Sequence, residues 1–153
     1  MKAVVQRVID ASVTVSGSVT GSIERGLLVY LGVAAEDGEK DACWMAEKVA
    51  NLRIFEDEAG KMNLSLKDIL PESEKGTTGV LSVSQFTLLA DASKGRRPFY
   101  GGAAEPEKAK SLYEYFMEKI REQGLICEAG VFQAHMDVRY TNSGPVTIIL
   151  NSP

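Results

Sequence analysis

The chain has 153 residues, a length that suits one domain with its own hydrophobic core. Hydrophobic residues make up 44% and charged residues 25%, and these ordinary proportions exclude disordered, collagen-like and disulfide-scaffold proteins. The net charge of −4 argues against indiscriminate binding to nucleic acid, although a local basic patch could still hold phosphates. No apolar run approaches the roughly 20 residues that cross a bilayer, and the start lacks the apolar segment of a secretion signal, so we expect a cytoplasmic protein without a membrane span.

The sequence predicts a hairpin at the start of the fold, followed by a buried strand. Residues 3–9 and 13–15 have strand character, and a Gly/Ser-rich turn over 16–22 returns the chain toward 22–25. Residues 27–34 form a continuous apolar run, which is typical of a central strand covered on both faces.

The middle of the chain is predicted to hold a helix, a strand and a long loop. Apolar residues recur at helical spacing over 40–52, and acidic residues lie near the start of that helix. The segment 53–78 is expected to contain a short strand and irregular loop. Residues 79–89 return to strand character, and 90–106 hold too many Gly and Pro residues for anything but a loop.

The last third of the chain is predicted to contain a helix and two strands. Pro106 suits the first turn of a helix, and Gly124 ends it. One strand is expected over either 126–132 or 136–141, and the last over 146–150, after a turn at residues 142–145. The predicted fold is therefore α/β, a single domain over residues 1–153 with mixed, barrel-like β-sheet layers and two main helices on the outer face.

The cysteine and histidine residues restrict the chemistry. Cys43 and Cys127 have no partner at metal-ligand spacing, so neither a zinc knuckle nor a CxxC redox pair can form. His135 is the single histidine, and any triad would have to use it. Its apolar and polar neighbours alternate, which favours a surface or packing role.

Polar residues at the end of the predicted strand 79–89 form the first candidate site. Gln85 could orient a carbonyl or a water, and Thr87 could donate a hydrogen bond to a developing oxyanion or act as a nucleophile. Simple alternation is the competing interpretation, in which Gln85 and Thr87 merely face solvent. No general base for a Thr87 nucleophile is visible nearby in the sequence.

The second candidate is the segment Asn142–Thr147, which contains Gly144 followed by Pro145. Glycine permits backbone shapes closed to other residues, and an X-Pro bond is the realistic site for a cis peptide. A tight turn between two terminal strands explains the same residues, as does a functional loop.

A third feature is the mixture of charge and aromatic rings on the long loop. Lys94, Arg96 and Arg97 could hold phosphates, and the neighbouring Phe99 and Tyr100 could stack on a base. A solvated loop explains the charges equally well.

Together these segments resemble the D-aminoacyl-tRNA deacylase family over essentially the whole chain. The resemblance rests on four motifs in the right order: Met1–Val8, Ser84–Leu88, Lys94–Pro98 and Asn142–Thr147. It implies hydrolysis of the ester that joins a D-amino acid or a mischarged glycine to the terminal adenosine of tRNA, without metal or cofactor. It also implies a homodimer in which a cis Gly144–Pro145 pair, fixed by Arg7, reaches into the pocket of the partner subunit.

The resemblance further implies a mechanism. Carbonyl oxygens of the Gly144–Pro145 segment would capture the substrate amino group, so that an L side chain collides with backbone. Gln85, Thr87 and the N–H group of Phe86 would serve the ester carbonyl, and the adenosine 2′-OH would assist the attacking water. The implied substrate-binding residues beside Gly144 and Pro145 are Ser84, Phe132 and Met136, with Phe86 and Phe132 near the adenine or ribose.

The chain departs from the family pattern at a few positions. Gln133 replaces a glycine after Phe132, His135 lies in the same motif, and Ser143 replaces an acidic residue before Gly144. A non-catalytic RNA-binding module of similar fold and an amidohydrolase with a Thr87 nucleophile are the alternative functions.

Overall fold

The computed structural model describes residues 1–70 and 78–153. Part of the predicted irregular segment 53–78 therefore lies outside the described residues. The helices and strands follow the chain in this order: β1 Lys2–Val15, β2 Ser18–Ile23, β3 Gly26–Gly32, α1 Glu39–Ala50, β4 Phe55–Glu56, β5 Met62–Leu64, β6 Gly79–Ser84, a 3₁₀ helix Phe86–Leu89, α2 Pro106–Glu122, β7 Ile126–Ala129 and β8 Asp137–Asn151.

One mixed sheet, with strand order β2-β1-β3-β6-β7, organises the molecule, and β8 pairs with the other edge of β1. The β1–β3 and β1–β8 pairs are antiparallel, whereas β3, β6 and β7 run parallel. The sheet rolls until β2 meets β7, where a Cβ atom at Gly21 would lie 2.5 Å from the carbonyl oxygen of Ala129. Only glycine permits this approach, and the nearly closed mixed sheet confirms the predicted barrel-like α/β fold.

The core has two parts that lie on opposite faces of the sheet. The larger part joins the sheet to α1 and α2, and neighbouring residues of β3 alternate between the two parts: Leu27 and Val29 belong to the larger one and Leu28 to the smaller one. The smaller part lies inside the curve of the sheet. The prediction of a central strand covered on both faces is therefore confirmed, as are the two helices, whose apolar stripes face the larger core.

The N-terminal hairpin differs in detail from the prediction. The pieces 3–9 and 13–15 belong to one strand, and the turn consists of Ser16 and Gly17 alone, both with positive φ angles of 49° and 81°. Two positive φ angles characterise the tightest hairpin turns, so β2 begins at Ser18 instead of beyond residue 22. The Ser and Thr residues that suggested a longer turn lie on the exposed face of β2.

The predicted strand 79–89 is wrong after Ser84. The N–H of Gln85 donates the last inter-strand bond, to Leu31, and the N–H of Leu88 then bonds the carbonyl of Gln85. The chain turns into the 3₁₀ helix because Leu88 and Leu89 fold back over Gly32, where a Cβ atom would have no room. The strand alternation predicted for Gln85 and Thr87 therefore does not exist.

The predicted turn at residues 142–145 is also wrong. Both alternatives for the preceding strand contain strand: β7 is a shorter form of 126–132, and residues 137–141 are the first part of β8, which continues without a turn to residue 151. This strand continues through the Gly144–Pro145 peptide, which is cis, and its pairing with β1 shifts register on either side of Val8. The Gly144–Pro145 pair is therefore an irregularity within a long antiparallel strand pair.

Candidate active site

A pocket with a volume of about 790 Å³ opens at the carboxyl ends of the parallel strands β3 and β6. The loop before α2, the first turns of that helix and the segment 132–138 form the rest of its wall. Ligand sites favour the carboxyl ends of parallel strands, because the chain leaves a rigid sheet there. The predicted site residues that line the pocket come from two separated segments: Ser84, Gln85 and Phe86 from one, Phe132 and Met136 from the other.

The segment that follows β6 supplies the polar groups of the pocket. The side-chain amide of Gln85 donates a hydrogen bond to Oγ1 of Thr87. Thr87 itself is exposed and lies just outside the pocket wall, so this bond is its connection to the site. Phe86 begins the 3₁₀ helix, where backbone N–H groups have no partner inside the helix. The arrangement can offer one side-chain amide, one hydroxyl and one backbone N–H to a substrate carbonyl.

Aromatic rings line the pocket. Phe86 is 59% exposed and meets Tyr100 edge to face, with 5.1 Å between ring centroids. The second pair of rings is Phe132 and Tyr113, whose centroids are 6.1 Å apart; the Tyr113 hydroxyl donates a 2.8 Å hydrogen bond to the carbonyl of Ser82. Burial raises the pKa of Tyr113 to about 12, so its phenol stays neutral.

Tyr113 lines the pocket, although the sequence pattern does not point to a site there. Tyr113 fits the apolar stripe of α2 so well that periodicity alone assigns it to the core. A signal was present nonetheless, since a buried tyrosine hydroxyl needs a hydrogen-bond partner and commonly lies where a core meets a site.

The turn after β7 places Gln133 on the pocket rim with a φ angle of 63°. This left-handed conformation favours glycine, the residue that the family pattern has at this position. His135 also lies at the rim, is 96% exposed and approaches Asp137 at 3.9 Å. Its exposure agrees with the predicted surface role.

Arg7 and the Gly144–Pro145 pair lie together, but away from the pocket of the same chain. Arg7 is only 8% exposed; its Nε donates to the carbonyl of Ser143 at 3.2 Å and its Nη1 to that of Ile54 at 2.6 Å. Gly144 has a φ angle of +120°, and both Gly144 and Pro145 are exposed. A single chain therefore does not bring this segment to Gln85.

The side chain of Asn142 also binds this segment. Its Oδ1 accepts a 3.1 Å hydrogen bond from the N–H of Val146, and its Nδ2 donates to Oγ1 of Thr147 at 3.0 Å. Gln6 of β1 donates to the same hydroxyl at 3.2 Å. Side chains therefore bind the main chain on both sides of the Gly144–Pro145 pair: Arg7 at Ser143 and Asn142 at Val146.

The part of the chain that the structure describes has neither a metal-binding cluster nor a membrane-spanning helix. Within residues 1–70 and 78–153, no three His, Cys, Asp or Glu side chains are grouped so that they could hold a metal ion. Cys43 and Cys127 are free thiols, and burial raises the pKa of Cys127 to about 12. No helix in this part of the chain is long and apolar enough to cross a membrane.

Comparison with known proteins decides the family. The family model described as D-Tyr-tRNA(Tyr) deacylase matches residues 4–151. The chain belongs to this family. A D-aminoacyl-tRNA deacylase of Koribacter versatilis is 58% identical over 99% of the chain and 97% of the relative, and one of Geobacter metallireducens is 56% identical over 100% and 97%.

Solved structures share the fold of the chain. One described as c-Myc DNA Unwinding Element Binding Protein has a TM-score of 0.88 and 43% identity, and the match covers 100% of this chain and 99% of that chain. A probable eukaryotic D-amino acid tRNA deacylase has a TM-score of 0.78 at 16% identity over 97% of each chain, which shows a common fold. Family membership and these relatives support deacylation of D-aminoacyl-tRNA as the activity of the chain.

Proposed function

We propose that the whole chain acts as one deacylase domain that releases D-amino acids from tRNA and rejects L-amino acids. The observation that carries the proposal is the meeting of Ser84, Gln85, Phe86, Phe132 and Met136 in one pocket of a family member. The pocket has both rings for the terminal nucleoside and hydrogen-bonding groups for the ester. Because charged tRNA is made in the cytoplasm, we place the enzyme there.

In the proposed reaction, water attacks the ester carbonyl, the bond between that carbon and the ribose oxygen breaks, and the ribose oxygen receives a proton. Gln85 and the N–H of Phe86 stabilise the negative charge that develops on the carbonyl oxygen. Thr87 orients Gln85, and the adenosine 2′-OH assists the water. An aminoacyl ester is already activated, so positioning and oxyanion stabilisation suffice and neither a metal nor a cofactor takes part.

Chirality is proposed to be read by main-chain atoms of the Gly144–Pro145 segment of a second copy. Carbonyl oxygens of this segment bind the substrate amino group and leave space for hydrogen alone on one side of Cα. An L side chain would collide with backbone there, whereas glycine has no side chain to collide and is also accepted. Rejection by collision discriminates without recognising any one side chain.

The proposed homodimer has two supports in the single chain. Gly144 and Pro145 are exposed and lie outside the pocket of their own chain, so the site is complete only when another copy supplies them. Among the described strands β8 pairs with β1 alone, which leaves the other edge of a 15-residue strand open. Open edges of this length pair readily with another chain.

The test is the release of free amino acid from D-tyrosyl-tRNA and from L-tyrosyl-tRNA under the same conditions. We expect release from the D substrate to be faster by at least about 1,000-fold, beyond the roughly 10–200-fold that one methylene of fit supplies. Equal release with a trapped acyl-enzyme would instead support a Thr87 nucleophile. Binding of tRNA without release from either substrate would support a nucleic-acid-binding module; the similar solved protein described as c-Myc DNA Unwinding Element Binding Protein is named for binding DNA.

A further inference from the structure

We propose that the loop 91–99 binds the single-stranded 3′ end of the RNA substrate outside the pocket, through phosphates and one stacked base. The proposal rests on the proposed function, because that function puts the terminal nucleoside in the pocket. Lys94, Arg96 and Arg97 form what we call the basic tip. Three cations within four residues reverse the local charge of a chain whose net charge is −4.

The base of the loop is fixed, so the basic tip is presented from a defined position. Asp91 and Phe99 exchange two backbone hydrogen bonds of 2.8 Å each and form an isolated antiparallel bridge. The carboxylate of Asp91 accepts a 2.8 Å hydrogen bond from the N–H of Ser93. Gly95 turns the chain at the tip with a φ angle of 80°.

The loop is joined directly to the pocket wall. Tyr100 contacts Phe86, and Ala103 forms a bridge with Ala34 and lines the pocket together with Ala104. Arg97 precedes Ala103 by six residues, so its Cα lies within about 20 Å of the wall even if the chain is fully extended. An RNA strand that ends in the pocket can therefore pass the basic tip a few nucleotides from its end.

The charged groups of the tip are available for phosphates. Lys94, Arg96 and Arg97 are all exposed, and no carboxylate within residues 1–70 and 78–153 lies within 4.0 Å of their charged nitrogens. The one acidic side chain at the base, Asp91, is held by the N–H of Ser93. Binding of phosphates would therefore break no ion pair seen in the described residues.

Phe99 supplies the second element of a single-strand binding surface. Its side chain is 70% exposed, and its ring lies over Gly101, where a Cβ atom would be 2.2 Å from Cζ. The tip of the ring thus packs against the backbone at Gly101, and most of the side chain remains exposed for a base. Cationic groups beside an exposed aromatic ring are the combination by which proteins bind single strands without reading sequence.

Two triple variants with the same change in charge test the proposal. The tip variant combines Lys94→Gln, Arg96→Gln and Arg97→Gln. The control triple combines Lys40→Gln, Lys48→Gln and Lys61→Gln, which change exposed lysines on α1 and in the β4–β5 turn. Binding of uncharged tRNA is measured from 50 to 300 mM KCl, a range chosen to give a slope, and hydrolysis is measured on D-tyrosyl-tRNA and on the D-tyrosyl ester of adenosine. The adenosine ester fills the pocket without reaching the tip.

The tip variant is expected to lower the slope of log Kd against log salt by about 2, because each lost phosphate contact on a single strand removes about 0.7. Its KM for D-tyrosyl-tRNA should rise at least about tenfold, while kcat/KM for the adenosine ester stays unchanged. The control triple should match the wild type in the slope and in both substrates. Phe99→Ala is expected to weaken tRNA binding about tenfold without changing the slope.

Three outcomes would overturn the proposal: an unchanged slope in the tip variant, an equal effect of the control triple, or an equal loss on the adenosine ester. The last would mean that the loop merely supports the pocket. Failure of the proposed function would give a different result. The wild-type protein would bind tRNA with a salt dependence that requires the basic tip, but it would hydrolyse neither substrate. The RNA-binding surface would then stand, and the deacylase function would not.

Discussion

Gly144→Ala is expected to lower kcat/KM for D-aminoacyl-tRNA by at least about 100-fold, because misplacing binding groups by about 1 Å costs that much. The φ angle of +120° is one that L side chains rarely adopt. A Cβ atom at this position would lie 2.8 Å from Nη2 of Arg7 and 2.9 Å from Cγ2 of Val146. The main chain must therefore shift, and the carbonyl groups proposed to hold the substrate amino group move with it.

Gly60→Ala is the matched control for this variant. Gly60 also has a positive φ angle, 73°, but it lies in the exposed β4–β5 turn with no atom near an added Cβ. Gly60→Ala should lower the melting temperature by the cost of an alanine at positive φ, and its rate of hydrolysis should equal that of the wild type. Steady-state hydrolysis and thermal melting are measured on both variants. Wild-type turnover by Gly144→Ala would show that this stretch of main chain does not touch the substrate.

Arg7→Met is expected to lower the free energy of unfolding by about 2–4 kcal/mol, because each orphaned polar group costs about 1–3 kcal/mol. The substitution removes the donors that bind the carbonyls of Ile54 and Ser143. It also releases the segment before Gly144, so deacylation should fall even in the folded fraction. The measurement is urea unfolding, followed by kinetics well below the unfolding transition.

Two further variants make the Arg7 result specific. Arg97→Met removes the same kind of side chain from an exposed site and should change the unfolding free energy by less than about 0.5 kcal/mol. Arg7→Lys retains the charge but lacks the guanidinium fork that reaches two carbonyls at once, so it should fall between Met and the wild type. Arg7→Met with unaltered stability would show that Arg7 does not anchor β8.

The elements that sequence predicts well here are those set by local periodicity. The apolar stripes of α1 and α2, the Pro106 start, the Gly124 stop and the unbroken apolar run of β3 each depend on neighbours within one element. Polar residues at the end of a buried strand also predict a site at Ser84, Gln85 and Phe86, and all three residues line the pocket.

The errors occur where distant segments decide the local structure. The turn after Ser84 depends on the packing of Leu88 and Leu89 against Gly32. Gly32 is distant in sequence, so no local pattern predicts this contact. Likewise Gly144 and Pro145 read as a turn because both residues break regular strands. In the structure β8 nevertheless continues across both residues, because it pairs with residues 2–14 of β1 and the register shifts on either side of Val8.

The structure also divides the candidate site between two places. Gln85 and Phe86 line the pocket, whereas Arg7 and Gly144 lie beside β1, outside it. The proposed mechanism therefore depends on a second copy of the chain. A mixed dimer that carries a different inactive site residue in each subunit examines this dependence directly.

The decisive measurement is the activity of mixed dimers of Gly144→Ala and Gln85→Ala, co-expressed with different affinity tags. Each variant alone should be nearly inactive. If the site combines Gln85 of one subunit with Gly144 of its partner, every mixed dimer has one intact site, and the purified mixed dimer should regain about half of the wild-type turnover of D-tyrosyl-tRNA. Mixed dimers that remain as inactive as the two parents would contradict a site shared between subunits.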